Sequence, residues 1–133
     1  TDIVATVGRG NARAAEFRTT TDGPFNGRAG GRWYVLIDRG TASAAEVFAA
    51  ALRDNGLART IGETSFGKGL VQSIQKVSDG GAVVLTVARY VTPAGEDING
   101  KGVLADLAVP CGPSREAVAC LDAALQSKPA AHQ

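Results

Sequence analysis

The stretch Trp33-Tyr-Val-Leu-Ile37 and the turn that follows it, Arg39-Gly-Thr-Ala-Ser-Ala-Ala-Glu46, decide the fold. The first five residues are aromatic, β-branched and aliphatic, as in a buried strand, and small residues then form a turn. Beyond Ser43, apolar residues recur at helical spacing, at Val47, Phe48, Ala51 and Leu52. They form one apolar stripe, so the pattern predicts a helix of about 12 residues that ends near Asn55-Gly56.

A second apolar run, Leu57-Ala-Arg-Thr-Ile61, follows the helix and predicts another strand. Strand, helix and strand form a βαβ unit, whose right-handed crossover leaves both strands parallel and ending at one edge of the sheet. Open α/β sheets bind ligands at that edge. Ser43 follows the first strand and Lys68 follows the second, so we expect a hydroxyl and an amine at the same edge.

The rest of the chain predicts a mixed α/β pattern. Residues 70–77 alternate apolar and polar residues and form a hairpin with residues 82–90 across the turn at 78–81. The other predicted segments are a strand at 1–7, a polar loop with room for a short hairpin at 8–31, a loop at 92–102, a short closing strand at 103–109, a helix at 114–126 capped by Ser114, and a frayed tail at 127–133.

Composition limits the class of protein. The chain has 133 residues, of which 44% are hydrophobic and 20% charged, which suits one domain with a modest core. A net charge of +1 gives no sign of nucleic-acid binding or of a polybasic membrane patch. No apolar run approaches the roughly 20 residues of a membrane span. The chain opens on a strand-like segment without a signal peptide, so we interpret it as starting partway through a larger domain.

Cys111 and Cys120 are the two cysteines of the chain, too few and too isolated for a zinc site. They flank a helix-start signal, and one disulfide across that short turn would imply an oxidising compartment. Two unpaired thiols are an equally open interpretation.

Ser43 has two interpretations. Ser43-Ala-Ala-Glu46 fits the capping box, in which the serine hydroxyl and the glutamate carboxylate each satisfy a helix N-terminal amide. A serine at the start of a helix is also well placed as a nucleophile, because the free amides around it can stabilise an oxyanion. Position alone does not decide between a cap and a nucleophile.

The search for a general base favours lysine. His132, the single histidine, lies in the tail, so a Ser-His-Asp triad would need the tail to fold back. A lysine base must be neutral, and an ordinary lysine pKa of about 10.4 would have to fall by about three units, as burial can achieve. Lys68 follows Phe66 and is flanked by Gly67 and Gly69, which allow a tight turn that presents the side chain inward. Activity would then rise with pH, and an exposed loop lysine is the alternative.

Two other motifs overlap this segment, and both are rejected. Gly62-x-x-x-x-Gly67-Lys68 resembles a phosphate-binding P-loop, but Gly69 replaces the magnesium-binding Ser or Thr and a strand pattern follows. Ser65-Phe-Gly-Lys68 matches the S-x-x-K of penicillin-binding enzymes, but glycines weaken the required helix and no K-T-G follows.

Several motifs occur in a characteristic order, namely Gly40-Thr-Ala-Ser-Ala-Ala-Glu46, Ala51-Leu-Arg-Asp-Asn-Gly56, Gly62-Glu-x-x-Phe-Gly-Lys-Gly69, Gln72, Ser78-Asp-Gly80 and Thr86-Val-Ala-Arg-Tyr-Val-Thr-Pro93. From about Thr1 to Val109 the chain closely resembles the C-terminal processing peptidase, or tail-specific protease, family. The segment from Ala88 to Asn99 is most similar to the algal and plant branch, which trims the photosystem II reaction-centre precursor in the thylakoid lumen.

The resemblance implies an α/β fold with a crotonase/ClpP-like core. Residues 1–110 would be the carboxyl-terminal part of the catalytic domain, and residues 111–133 a helical tail with a frayed end. It also implies a serine endopeptidase that uses a Ser-Lys dyad and an acyl-enzyme to cleave near the carboxyl terminus of protein substrates.

The resemblance also assigns roles to individual residues. Ser43 would be the nucleophile and Lys68 the general base. Gln72 would orient the lysine amine, and the backbone amide of Ala44 would supply one oxyanion donor. Asp54 matches an aspartate at this helix end, which we interpret as structural support. No metal or cofactor is expected.

The resemblance implies partners that the sequence does not contain. Family members carry an upstream PDZ domain, which recognises the substrate tail, and a glycine-rich segment that provides the second oxyanion amide. Both are missing here, and Ala45 replaces a serine common in the motif. We therefore expect this fragment alone to be weakly active or inactive. The expected compartment is the thylakoid lumen, with a bacterial periplasm as the alternative.

Two rival functions stay open. One is a non-catalytic crotonase-like module that holds a peptide as an added strand. The other is an acyl-CoA enzyme on the same core, for which the sequence contains no sign of an adenine-nucleotide pocket.

Overall fold

The computed structural model describes residues 1–20, 33–110 and 117–126. Nine helices and strands are present in these ranges, in the order β1 (Asp2–Val7), β2 (Arg13–Arg18), β3 (Tyr34–Ile37), α1 (Ala44–Asp54), β4 (Arg59–Gly62), β5 (Leu70–Lys76), β6 (Ala82–Val91), β7 (Leu107–Ala108) and α2 (Ala117–Gln126). A 3₁₀ turn at Arg9–Asn11 joins β1 to β2. The mixed α/β pattern is as predicted.

The strands form two sheets. The first is antiparallel, in the order β2-β1-β6-β5, and contains the predicted hairpin of β5 and β6. The polar segment at 8–31 contributes β2, which pairs with β1, so the hairpin seen here uses the first predicted strand and does not lie within the segment. The second sheet is parallel, in the order β3-β4-β7.

The predicted βαβ unit is confirmed. β3 and β4 are parallel, with Val35 opposite Thr60 and Ile37 opposite Gly62, and α1 connects them. Gly62 ends β4 with a φ of 124°, and a Cβ atom there would lie 2.0 Å from the Ile37 carbonyl oxygen. Only glycine fits at this point, where β3 and β4 end side by side.

The core of this unit is small. Ile37, Ala49, Ala50 and Val103 form its buried cluster. The residues of α1 that are buried are Glu46, Ala49 and Ala50, and not the predicted apolar stripe, since Phe48 is 60% exposed. Small alanine side chains let the helix pack closely on the sheet, and the larger apolar residues lie on its outer side.

The predicted closing strand at 103–109 is shorter in the structure, where β7 covers Leu107–Ala108. The Asp106 carboxylate accepts the Thr60 N–H at 2.8 Å, and the Thr60 hydroxyl donates to the Leu104 carbonyl at 3.2 Å. Side-chain hydrogen bonds thus replace the strand ladder before β7 begins.

The second helix begins at Ala117, and its predicted cap Ser114 lies outside the described residues, as do residues 21–31 of the polar loop and the tail at 127–133. Cys120 is buried in α2 and is disulfide-bonded. Cys111 lies outside the described residues, so its pairing stays a prediction. Neither described helix has the length and apolarity needed to cross a membrane.

Candidate active site

The turn between β3 and α1 is held by its own side chains. The Asp38 carboxylate accepts hydrogen bonds from the backbone N–H groups of Gly40 and Thr41, both at 2.9 Å. The Thr41 hydroxyl in turn accepts the Asp38 N–H at 3.0 Å. Aspartate and threonine commonly stabilise turns in this way. The position of Ser43 at the end of the turn is therefore fixed locally.

Ser43 has an unusual backbone conformation, with φ of 56° and ψ of −120°. A helix cap residue ordinarily has an extended backbone, and a non-glycine residue in such a sparsely populated region costs about 1–3 kcal/mol. A serine on a strained turn between a strand and a helix is the arrangement of the nucleophile elbow in α/β-hydrolases. This strain could not be predicted from the sequence, because the motif contains no signal for it.

Glu46 is fully buried and accepts four hydrogen bonds. Its Oε2 atom accepts the backbone N–H groups of Ser43 and Lys68, each at 2.8 Å. Its Oε1 atom accepts the Ser65 hydroxyl at 2.5 Å and the Gly67 N–H at 2.6 Å. The glutamate half of the predicted capping box is thus formed, but the same carboxylate also binds the loop after β4.

That loop runs beside the Ser43 turn. The Glu63 N–H donates to the Ile37 carbonyl at 3.0 Å, and the Phe66 N–H donates to the Thr41 carbonyl at 2.8 Å. Together with the Glu46 bonds, these contacts bring the backbones of Ser43 and Lys68 to the same edge of the parallel sheet, as the βαβ unit predicts.

The side chains assigned from the resemblance are less constrained. Lys68 is exposed, and Gln72 is exposed on β5. In the part of the chain that the structure describes, no hydrogen bond joins the two side chains. The burial that a neutral lysine needs is not supplied by these residues, so the roles of Lys68 and Gln72 stay predictions.

Ala44 is the first residue of α1 and is exposed. No acceptor among the described residues pairs with its backbone N–H, whereas the next amides bond within the turn, Ala45 to Ala42 and Glu46 to Ser43. The Ala44 amide is therefore available to an external acceptor beside Ser43.

Arg53 anchors the other end of α1. Its guanidinium lies 2.9 Å from Asp54 and 3.0 Å from Glu96, and it donates to the Leu104 carbonyl at 3.2 Å. Burial alone would lower the pKa of Arg53, but the hydrogen bonds and charges of Asp54 and Glu96 raise it above its ordinary value. The second oxygen of Asp54 accepts the Ala94 N–H at 3.0 Å, which is consistent with the predicted structural role of this aspartate.

The outer side of the βαβ unit is apolar. A cavity of about 710 Å³ is lined by residues that include Leu36, Phe48, Leu52 and Leu57. Leu36 and Phe48 are 40% and 60% exposed. Among the described residues, this face has no covering element.

β3 also lies at the edge of its sheet. The carbonyls of Trp33 and Ile37 accept hydrogen bonds from the β4 side, both at 3.0 Å. Because backbone groups alternate along a strand, those of Tyr34 and Leu36 face the other way, where no described strand pairs with them. The edge is open to a further strand. No group of three or more potential metal ligands occurs within the described ranges.

Comparison with known proteins assigns the chain to a class of peptidases. Peptidase family S41 matches residues 1–109, so the chain belongs to that family. The structure is similar to that of the photosystem II D1 C-terminal processing protease, with a TM-score of 0.77 and 36% identity, over 97% of this chain and 32% of that chain. The predicted family resemblance and α/β fold class are confirmed.

Curated relatives agree with this assignment. The chain is 56% identical over 73 residues to the chloroplastic C-terminal processing peptidase of Tetradesmus obliquus, covering 55% of this chain and 16% of that protein. It is 49% identical over 79 residues to the carboxyl-terminal-processing protease of Picosynechococcus sp., covering 59% and 19%. It is 52% identical over 69 residues to the carboxy-terminal processing protease CtpA of Bacillus subtilis, covering 52% and 15%. The chain thus spans less than a fifth of the length of these relatives.

Proposed function

We propose that this chain carries the nucleophile and general base of a serine endopeptidase that cleaves near the carboxyl terminus of protein substrates. The observation that carries the proposal is the strained backbone of Ser43 between β3 and α1. Strain of this kind persists where the surrounding structure fixes it, and it is concentrated at functional sites. The Asp38 turn and the Glu46 carboxylate supply that fixing here.

In the proposed reaction, the Ser43 hydroxyl attacks the substrate carbonyl while the Lys68 amine accepts its proton. The Ala44 amide donates to the oxyanion. The protonated lysine then supplies the leaving amine with its proton, which leaves an acyl-enzyme that water hydrolyses. Gln72 orients the lysine amine, and no step requires a metal or a cofactor.

The dyad needs a neutral amine, and desolvation favours that form. Lys68 is exposed in this chain, so we propose that upstream polypeptide of the longer enzyme covers it and supplies the second oxyanion amide. The open β3 edge and the apolar face around Phe48 support packing by that polypeptide. We expect the isolated fragment to be weakly active or inactive.

Substrate selection is proposed to reside outside this chain, in an upstream PDZ domain that binds the substrate tail. The similarity to chloroplastic and cyanobacterial processing proteases supports the thylakoid lumen as the compartment, with a bacterial periplasm as the alternative. A disulfide between Cys111 and Cys120 would suit either oxidising compartment.

The test uses the longer enzyme and a peptide with a free carboxyl terminus. We expect Ser43→Ala and Lys68→Ala to lower kcat by about 10³-fold or more while the melting temperature changes little. Lys76→Ala, in the exposed end of β5, is the matched control and should retain normal kcat. Normal kcat in Lys68→Ala would rule out the dyad.

The open edge of β3 favours a second candidate, a non-catalytic module that binds a peptide as an added strand. A serine-directed fluorophosphonate separates the two functions, because a binding module would form no covalent adduct at Ser43.

A further inference from the structure

We propose that Glu46 is the positioning residue of this site, and that its single Oε2 atom sets the spacing between the nucleophile and the base. The proposal rests on the proposed function of Ser43 and Lys68. It goes beyond a capping role, because a helix cap would need Glu46 to bind only the start of its own helix.

The Oε2 atom of Glu46 joins the backbones of Ser43 and Lys68. This atom accepts the Ser43 and Lys68 N–H groups at 2.8 Å each. Two backbone nitrogens bound to one oxygen atom cannot lie further apart than twice that distance. Both residues come from separate segments, so a movement of either backbone breaks a hydrogen bond to a buried charge, which is more costly than losing a neutral one.

The Oε1 atom of Glu46 fixes the orientation of the carboxylate. It accepts the Ser65 hydroxyl and the Gly67 N–H, and the Ser65 oxygen also accepts the Val103 N–H at 2.6 Å. The carboxylate is therefore held on its far side through Ser65 by Val103 of the buried core, and it cannot rotate freely. Its four donors come from the Ser43 turn and from the loop at 65–68, and no cationic group is among its partners in the part of the chain that the structure describes.

Glu46 is buried and is hydrogen-bonded to the strained residue Ser43. Glu46 is 0% exposed, so its position is fixed by packing and does not depend on solvent. Its bond to the Ser43 N–H also fixes the orientation of the peptide plane before Ser43, where the strained φ of 56° begins. Glu46 thus stabilises both the strained backbone of Ser43 and the spacing between Ser43 and Lys68.

Two substitutions of Glu46 in the longer enzyme separate the effect of side-chain length from the effect of charge. Glu46→Asp keeps the charge but is one methylene shorter, so it cannot bridge both segments. Glu46→Gln keeps the length and can turn its oxygen to the Ser43 and Lys68 amides. Its NH2 group can then donate to the Ser65 hydroxyl but cannot accept the Gly67 N–H, so one hydrogen bond is lost. The proposal predicts that Glu46→Asp is the more damaging variant.

The measurement is the rate of acylation by a small fluorophosphonate, expressed per active site after titration, at a temperature where each variant is folded. A displacement of about 1 Å can cost about 10²-fold in rate. We expect a loss of about 100-fold in Glu46→Asp and about 10-fold in Glu46→Gln. Thr60→Val is the matched control, because Thr60 is equally buried and its hydroxyl bonds to Leu104 and Asp106, outside the Ser43 turn. It should melt at lower temperature with an unchanged acylation rate per site.

The outcomes are distinct. Wild-type acylation rates per site in the folded Glu46→Asp and Glu46→Gln variants would overturn the positioning role, and so would a larger loss in Glu46→Gln than in Glu46→Asp. Should Glu46→Asp fail to fold, a wild-type rate in Glu46→Gln would overturn the proposal and a roughly tenfold loss would support it. If Ser43→Ala were labelled as fast as the wild type, the proposed function itself would fail, independently of Glu46.

Discussion

The two sides of the βαβ unit differ sharply. On the side of the Ser43 turn, polar groups are buried and paired, as the four hydrogen bonds to Glu46 demonstrate. On the outer side, α1 and β3 present Phe48 and Leu36 in an apolar cavity that no described element covers. The backbone of the proposed site is therefore assembled within this chain, whereas the apolar face is suited to a partner. Four predictions test this difference, from the largest expected effect to the smallest.

Gly102→Ala tests the packing on the side of the Ser43 turn. Gly102 has a φ of 73°, and a Cβ atom there would lie 2.4 Å from the Ser65 carbonyl oxygen, next to the Glu46 network. We expect a loss of about 3 kcal/mol in the free energy of unfolding, from backbone strain and overpacking. Gly100→Ala is the matched control, since its φ is 72° and it has open space around it. It should lose about 1 kcal/mol in chemical denaturation. Equal losses would mean that packing around Ser65 is loose.

Phe48→Ser tests the uncovered side. In the isolated chain we expect a change of less than about 0.5 kcal/mol in unfolding free energy, because the side chain is 60% exposed. In the longer enzyme, where we propose that the face is covered, the loss should reach about 2 kcal/mol. Denaturation curves of both forms give the comparison. A change that is the same in both forms would contradict packing on this face.

Arg53→Ala tests the anchor at the far end of α1. We expect a loss of about 2 kcal/mol, because charged hydrogen bonds to Asp54 and Glu96 are removed. The pKa of Arg53 is raised, so its stabilising effect is present below the unfolded pKa and is lost only as the pH rises through the folded value. The difference in melting temperature between variant and wild type should therefore not shrink from neutral to mildly alkaline pH. A difference that disappears over that range would show that the guanidinium is not the source.

Ser43→Gly tests the strain itself. Glycine tolerates a positive φ but loses more entropy on folding, so we expect a net gain of about 1 kcal/mol in stability. Ser43→Ala removes the same hydroxyl and keeps the strain, so its stability should be close to that of the wild type. Calorimetry on the two variants measures the difference, and equal melting temperatures would mean that the Ser43 backbone is relaxed.

The sequence allowed much of the framework to be predicted. Continuous apolar runs identified β3 and β4, helical spacing identified α1, and alternation before a turn identified the β5–β6 hairpin. The parallel crossover then brought Ser43 and Lys68 to one edge. These features depend on local patterns and on one rule of handedness.

The parts that could not be predicted depend on contacts between distant segments. The inward face of α1 consists of Glu46, Ala49 and Ala50, because two alanines allow close packing, and hydropathy alone favoured the stripe with Phe48. The Asp106 side chain shortens β7 by taking the Thr60 amide, which no strand pattern reveals. The strain at Ser43 and the bridge through Glu46 could be recognised only from the structure, because an ordinary capping box has the same sequence pattern.

The most direct test of the central claim is peptide mapping by mass spectrometry after a fluorophosphonate reacts with the longer enzyme. We expect one covalent adduct on Ser43, formed in the wild type and reduced by about 10³-fold in Lys68→Ala. An adduct on another serine, or an equally fast adduct at Ser43 when Lys68 is replaced, would contradict it.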